Sequence, residues 1–119
     1  MKDPDRRRLL HIVEQINKIT RYTAEGRAAF DLDEKTQDAV IRCLSVIGEA
    51  AGALTEATYR AIPSLPPQLP KSQRNLLVHE YWRIDLDIVW ATIERDLPAL
   101  KSGIESTLVE SVENNDRDL

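Results

Sequence analysis

Residues 9–23 read LLHIVEQINKITRYT, and within them Leu9, Ile12, Val13, Ile16, Ile19 and Thr23 recur at steps of three and four. That spacing lays one apolar stripe along a helix. Asp3 or Asp5 supplies a capping signal at its start, and Gly26 a natural stop. His11 falls off the stripe and reads as a solvated surface histidine.

The same period continues downstream. Phe30-Asp31-Leu32-Asp33 leads into a second helix expected to run to about Ala61, with either aspartate able to cap it. Its apolar face is Val40, Cys43, Leu44, Ile47, Ala50, Ala51 and Leu54, opposite a polar stripe of Arg42, Ser45, Glu49, Gly52 and Glu56. Glycines in a helix interior cost about 1 kcal/mol each relative to alanine. Small residues at 48 and 50–53 therefore suggest a second helix backbone packed close. The stretch IPSLPPQLPKS, with Pro63, Pro66, Pro67 and Pro70, cannot continue a helix and reads as a stiff connection inside one domain. A third helix is expected from Lys71 or Ser72. Asp85 then opens a stripe of Leu86, Val89, Trp90, Ile93, Leu97, Leu100, Ile104 and Leu108 that stays in phase despite Pro98. Because proline suits a first helical turn, this segment is either one kinked helix or two helices broken near residue 96. Four or five amphipathic helices make an all-α, antiparallel bundle the expectation, as one domain over residues 1–112 with a polar tail over 113–119.

Composition agrees. A chain of 119 residues with 42% hydrophobic content is long enough for one self-sufficient core. Four glycines and one phenylalanine argue against a β-sandwich. A single cysteine, Cys43, leaves no intramolecular disulfide and no multi-cysteine zinc site, and His11 and His79 lie too far apart for a local metal motif. No apolar run approaches a membrane span, and MKDPDRRRLL lacks a signal-peptide core, so a soluble, cytoplasmic protein is expected. A net charge of −4 argues against duplex DNA as a partner. Any nucleic-acid contact would need a local basic patch. Arg6-Arg7-Arg8 is one candidate, since three cations in a first helical turn oppose the helix dipole. A plain solvated charge run is the simpler reading of them.

The chemistry concentrates at RNLLVHEY, residues 74–81. On a helix Asn75 and His79 are neighbours at i, i+4, whereas His79 lies about 140° around from Arg74. One rigid helix does not converge Arg74, Asn75, His79 and Tyr81 on a point. Periodicity alone leaves His79 open as a structural hydrogen-bonding group, Arg74 as a surface cation and Tyr81 as a packing residue.

Arg74, His79 and Tyr81 form the R-x4-H-x-Y pattern of the HEPN superfamily. With AVIRCLSVIGEAA (39–51) before it and IDLDIVWATIERDLPAL (84–100) after it, the chain resembles the HepT-like branch over nearly its whole length. The approach to Arg74, PPQLPKSQ, lacks the tryptophan and glycine expected there. The resemblance implies a four-helix up-and-down bundle that homodimerises, and a toxin of a type VII-like toxin–antitoxin pair acting as a metal-independent endoribonuclease with no cofactor. In that role His79 moves protons, Arg74 binds and stabilises the scissile phosphate, and Asn75 orients one or the other. It further implies a minimal nucleotidyltransferase antitoxin that transfers AMP to Tyr81. Two other readings stay open: a non-catalytic HEPN module that binds and regulates a nucleotidyltransferase, and a helical dimer whose motif is a relic. Arg42 and Glu49 share a polar stripe able to line a cleft, or to form an ordinary solvated face, and Cys43 reads as core.

Overall fold

The computed structural model describes residues 1–65 and 85–117, with side chains through residue 112. The described residues are helical, without a strand. In order they form α1 (Asp3–Tyr22), α2 (Arg27–Leu32), α3 (Glu34–Gly52), α4 (Glu56–Ala61), α5 (Leu86–Ala91), a π turn (Thr92–Asp96) and α6 (Leu97–Arg117).

The stripe of α1 faces inward as expected: Leu9, Ile12, Ile16 and Ile19 are buried. Val40, Cys43, Ile47, Ala51 and Leu54 meet it from α3 and the turn that follows, with Leu44 and Ala50 packed half-buried beside them. From the C-terminal part Val89, Leu97, Leu100 and Ile104 complete one core, flanked by Leu86, Trp90, Ile93 and Leu108. α1 packs most extensively on α3 and also on α6, while α2 lies on α3.

The helix starts divide into two kinds. Asp33 caps α3, accepting from the Lys35 amide at 3.2 Å and the Thr36 hydroxyl at 2.6 Å, and Asp85 caps α5, accepting from the Asp87 amide at 3.0 Å. Both follow the local rule. α1 does not. Its N-cap is Lys2, without a side-chain bond, and Asp3 and Asp5 both sit inside the first turn. Asp5 is turned into the protein instead, where its partners lie 50 and 53 residues away. At the other end α1 stops at Tyr22, and Gly26 starts α2 rather than ending α1. Its φ of 94° is a backbone state that side-chain-bearing residues avoid.

The second expected helix is in fact two, α3 and α4, with the short α2 ahead of it. α2 precedes Asp33, and α3 ends at Gly52. The break at 53–55 arises because Thr55 caps a new helix while its amide and hydroxyl are held by Asp5. Downstream, the region near residue 96 is one continuous helical run containing a π turn. Pro98 has no amide to donate and its ring collides with the carbonyl four residues back. Widening the turn accommodates this, and the Leu97 amide bonds to the Thr92 carbonyl five residues earlier. On α6, a Cβ at Gly103 would come within 2.7 Å of Ser64 Oγ, so the glycine lets that helix close on the 62–65 segment.

Candidate functional site

Arg74, Asn75, His79 and Tyr81 lie outside the described residues. The structure describes the frame that carries them, whose two ends are Leu65 and Asp85.

On the upstream side the chain is fixed by a buried polar cluster. Asp5 is 1% exposed. It accepts from the Thr55 hydroxyl at 2.5 Å, the Thr58 hydroxyl at 2.6 Å and the Thr55 amide at 3.1 Å, with Arg8 at 3.3 Å. Burial acts to raise the carboxyl's pKa. The hydroxyls of Thr55 and Thr58, the Thr55 amide and Arg8 outweigh it, and the pKa falls from 3.8 to about 2. This ties the start of α1 to the start of α4. Beyond α4, Ile62 and Leu65 are buried in the core.

On the downstream side Trp90 of α5 meets Phe30 of α2 with ring centroids 5.5 Å apart and planes inclined by 42°. Arg27 of α2 pairs with Asp87 of α5 and with Asp31 at 3.4 Å. Gln37 of α3 donates to the Phe30 carbonyl at 2.9 Å, which also accepts from the Asp33 amide at 3.3 Å, and to the Asp31 carbonyl at 3.2 Å, so the end of α2 is tied to α3. The chain is therefore pinned within a few residues of Asp85.

The other sequence candidates sort as follows. Arg42 and Glu49 are exposed and make no ion pair among the described residues. Of the Arg6-Arg7-Arg8 run, Arg8 is committed to Asp5, and Arg6 and Arg7 form no ion pair among the described residues. His11 is a surface residue 3.8 Å from Glu14. Cys43 is buried, which pushes its thiol pKa up, while Lys18, Arg42 and Arg21 pull against that shift. Among the described residues no group of three or more His, Cys, Asp or Glu is placed to hold a metal ion, and no helix is long and apolar enough to cross a membrane. Sequence reading missed Thr55 and Thr58 as partners of Asp5, and the contacts of Arg27 and Phe30 across to α5. The capping pattern at Thr55 was a usable signal for the first, because a threonine followed by an acidic residue suits a helix start. Nothing local announced the second.

The ribonuclease HepT-like family model matches residues 12–107, a span that contains the whole 74–81 motif, Thr55 and Thr58 upstream of it, and the contacts of Arg27 and Phe30 with Asp87 and Trp90. A "Probable ribonuclease HepT" of Thermococcus cleftensis is 36% identical over 106 residues, covering 88% of this chain and 96% of the relative. Two proteins of Methanocaldococcus jannaschii, each named "Putative RNase", are 30% and 33% identical. The first match covers 82% of this chain and 90% of that relative, and the second 91% and 89%. No solved structure matches significantly. A family match over most of the chain, together with relatives aligned nearly end to end, places this chain in the ribonuclease HepT-like family of the HEPN superfamily.

Proposed function

We propose that this chain is a metal-independent RNA endonuclease whose reacting groups are Arg74 and His79. The observation that carries the reading is the intact R-x4-H-x-Y pattern inside a chain that belongs to a ribonuclease family. RNA brings its own nucleophile, the 2′-hydroxyl, so cleavage requires proton transfer and charge stabilisation. His79 takes the proton as the 2′-oxygen bonds to phosphorus, and returns one to the 5′-oxygen as the phosphorus–oxygen bond breaks. Arg74 holds the non-bridging oxygens and stabilises the charge that grows on them, which a planar guanidinium does through two parallel bonds. Asn75, one turn before His79, is a positioning residue for the imidazole or the phosphate.

The helical frame serves this site best as part of a homodimeric, up-and-down four-helix bundle over residues 1–112, with the motifs of two copies at a shared cleft. Such a cleft relieves the problem that an ideal helix would set Arg74 and His79 about 140° apart, because the pair then comes from different copies. In the same reading the chain is the toxin of a toxin–antitoxin pair acting on cytoplasmic RNA. Its antitoxin is a minimal nucleotidyltransferase. There the Tyr81 oxygen attacks the α-phosphorus of ATP and pyrophosphate leaves, and the resulting adduct adds negative charge and bulk that repel an RNA backbone. The unusual approach PPQLPKSQ favours one alternative, a non-catalytic module that regulates a nucleotidyltransferase partner.

The deciding experiment is induction of the wild-type chain, of His79→Ala, and of wild type together with the nucleotidyltransferase, with growth and total RNA followed in parallel. Growth arrest with RNA loss, abolished by His79→Ala and by the partner, is the expected result. Intact RNA and unaffected growth with well-expressed, unmodified wild type would transfer the assignment to the regulatory module.

A further inference from the structure

An acidic chain that acts on RNA needs local cations, and the seam between α1 and α3 carries three, Lys18, Arg21 and Arg42, with the exposed Asp38 one turn before Arg42. Asp5, near the start of α1, meets Thr55 just past the end of α3, and only residues 23–33 join the end of α1 to the start of α3, so the two packed helices run antiparallel. Lys18 lies thirteen residues beyond Asp5 on α1, and Arg42 lies ten residues before the end of α3 at Gly52, so helical rise puts the two cations within about one turn of the same level, about 15–20 Å from the Asp5 cluster. Arg21 follows Lys18 by one turn of α1. Cys43, next to Arg42, is buried in one core with Ile19, which lies beside Lys18 on α1, and all three cations pull against the rise that burial gives its thiol pKa. Arg21 and Arg42 are exposed, Lys18 is half-buried, and among the described residues none of the three pairs with a carboxylate. Glu14, one turn before Lys18, turns to His11 instead. Tyr22, one turn after Lys18, is an aromatic residue that is 43% exposed.

We propose that Lys18, Arg21 and Arg42, with Tyr22, form a track for single-stranded RNA carried by residues outside the 74–81 motif. Cations along a strand take successive phosphates and an exposed ring takes the face of a base, the combination by which proteins hold single strands without reading their sequence. An acidic protein surface would use the cations and leave Tyr22 without a part. The proposal rests on the RNA-cleaving reading above and deepens it by assigning where substrate is held.

The test is fluorescence anisotropy of the full chain with a short, labelled 2′-O-methyl oligoribonucleotide of mixed sequence, a probe that lacks the free 2′-hydroxyl, across a salt series. The combined variant Lys18→Gln, Arg21→Gln, Arg42→Gln should bind at least about tenfold more weakly at low salt and lower the salt slope by about 2, since each single-strand phosphate contact contributes about 0.7. Tyr22→Ala should weaken binding about tenfold with the slope unchanged. Arg95→Gln, an exposed cation on the π turn, should bind as wild type. If circular dichroism shows the combined variant unfolded, Arg42→Gln alone should still lower the slope by about 0.7. Absence of wild-type binding, wild-type binding by the cation variants, or an equal loss in Arg95→Gln overturns the track. Cleavage of unmodified RNA, assayed separately, keeps the two readings distinct. Cleavage with no loss in the cation variants sinks the track alone, and track-dependent binding without any cleavage sinks the nuclease alone.

Discussion

The chain approaches the 74–81 motif through a polar anchor and leaves it through an apolar one. Upstream, a buried carboxylate collects two hydroxyls, an amide and a guanidinium at 2.5–3.3 Å. Downstream, a buried phenylalanine meets a half-buried tryptophan, and the ion pair beside them is open to solvent, with side-chain exposures of 42% and 72%. The two anchors do the same job by different physics. A buried hydrogen-bonded charge is costly to disturb because any group left behind is unsatisfied, whereas an exposed ion pair gains little over hydration and is screened by salt.

The largest effect is expected at Phe30→Ala, which removes a fully buried ring and its contact with Trp90 and should cost about 3–5 kcal/mol in urea unfolding, independent of pH and salt. A loss below about 1 kcal/mol would mean that α2 is not the downstream anchor.

Asp5→Ala comes next, at about 3 kcal/mol, because the hydroxyls of Thr55 and Thr58 and the Thr55 amide lose their acceptor. It also carries a pH signature. The folded carboxyl titrates at about 2, below its ordinary 3.8, so its contribution is fully present above about pH 4 and drains away as pH falls from about 4 to about 2. Stability measured against pH in that window should fall less steeply in Asp5→Ala than in wild type. An unchanged slope would show that Asp5 is not the acid-sensitive group.

Arg27→Ala should be the smallest change, under about 1 kcal/mol and vanishing in high salt. A salt-resistant loss matching that of Asp5→Ala would erase the difference between the anchors.

Much of this frame was legible beforehand, and the reason is locality. Asp33 and Asp85 cap the helices that follow them within two or three residues, and the stripes of α1 and α6 repeat within single helices. Asp5 was misread as a cap for the same reason: its neighbours in sequence suit that role, and its actual partners are some 50 positions distant. The break at Thr55 depends on that same distant contact. Pro98 was recognised as a disturbance, but whether the helix would break or widen depended on the core holding Val89 and Leu97 on one side of it. For the candidate site, Arg74, Asn75, His79 and Tyr81 are proposed from the motif pattern and lie outside the described residues.

By itself the sequence determined the helical class, the core-facing residues and the family, because hydrophobic period, local capping and the spacing of motif residues are properties of nearby positions. The tertiary structure decided where helices stop, which carboxylate is buried, and which cations share the α1–α3 seam. Those depend on groups far apart in the chain meeting in space, and only folding sets that distance.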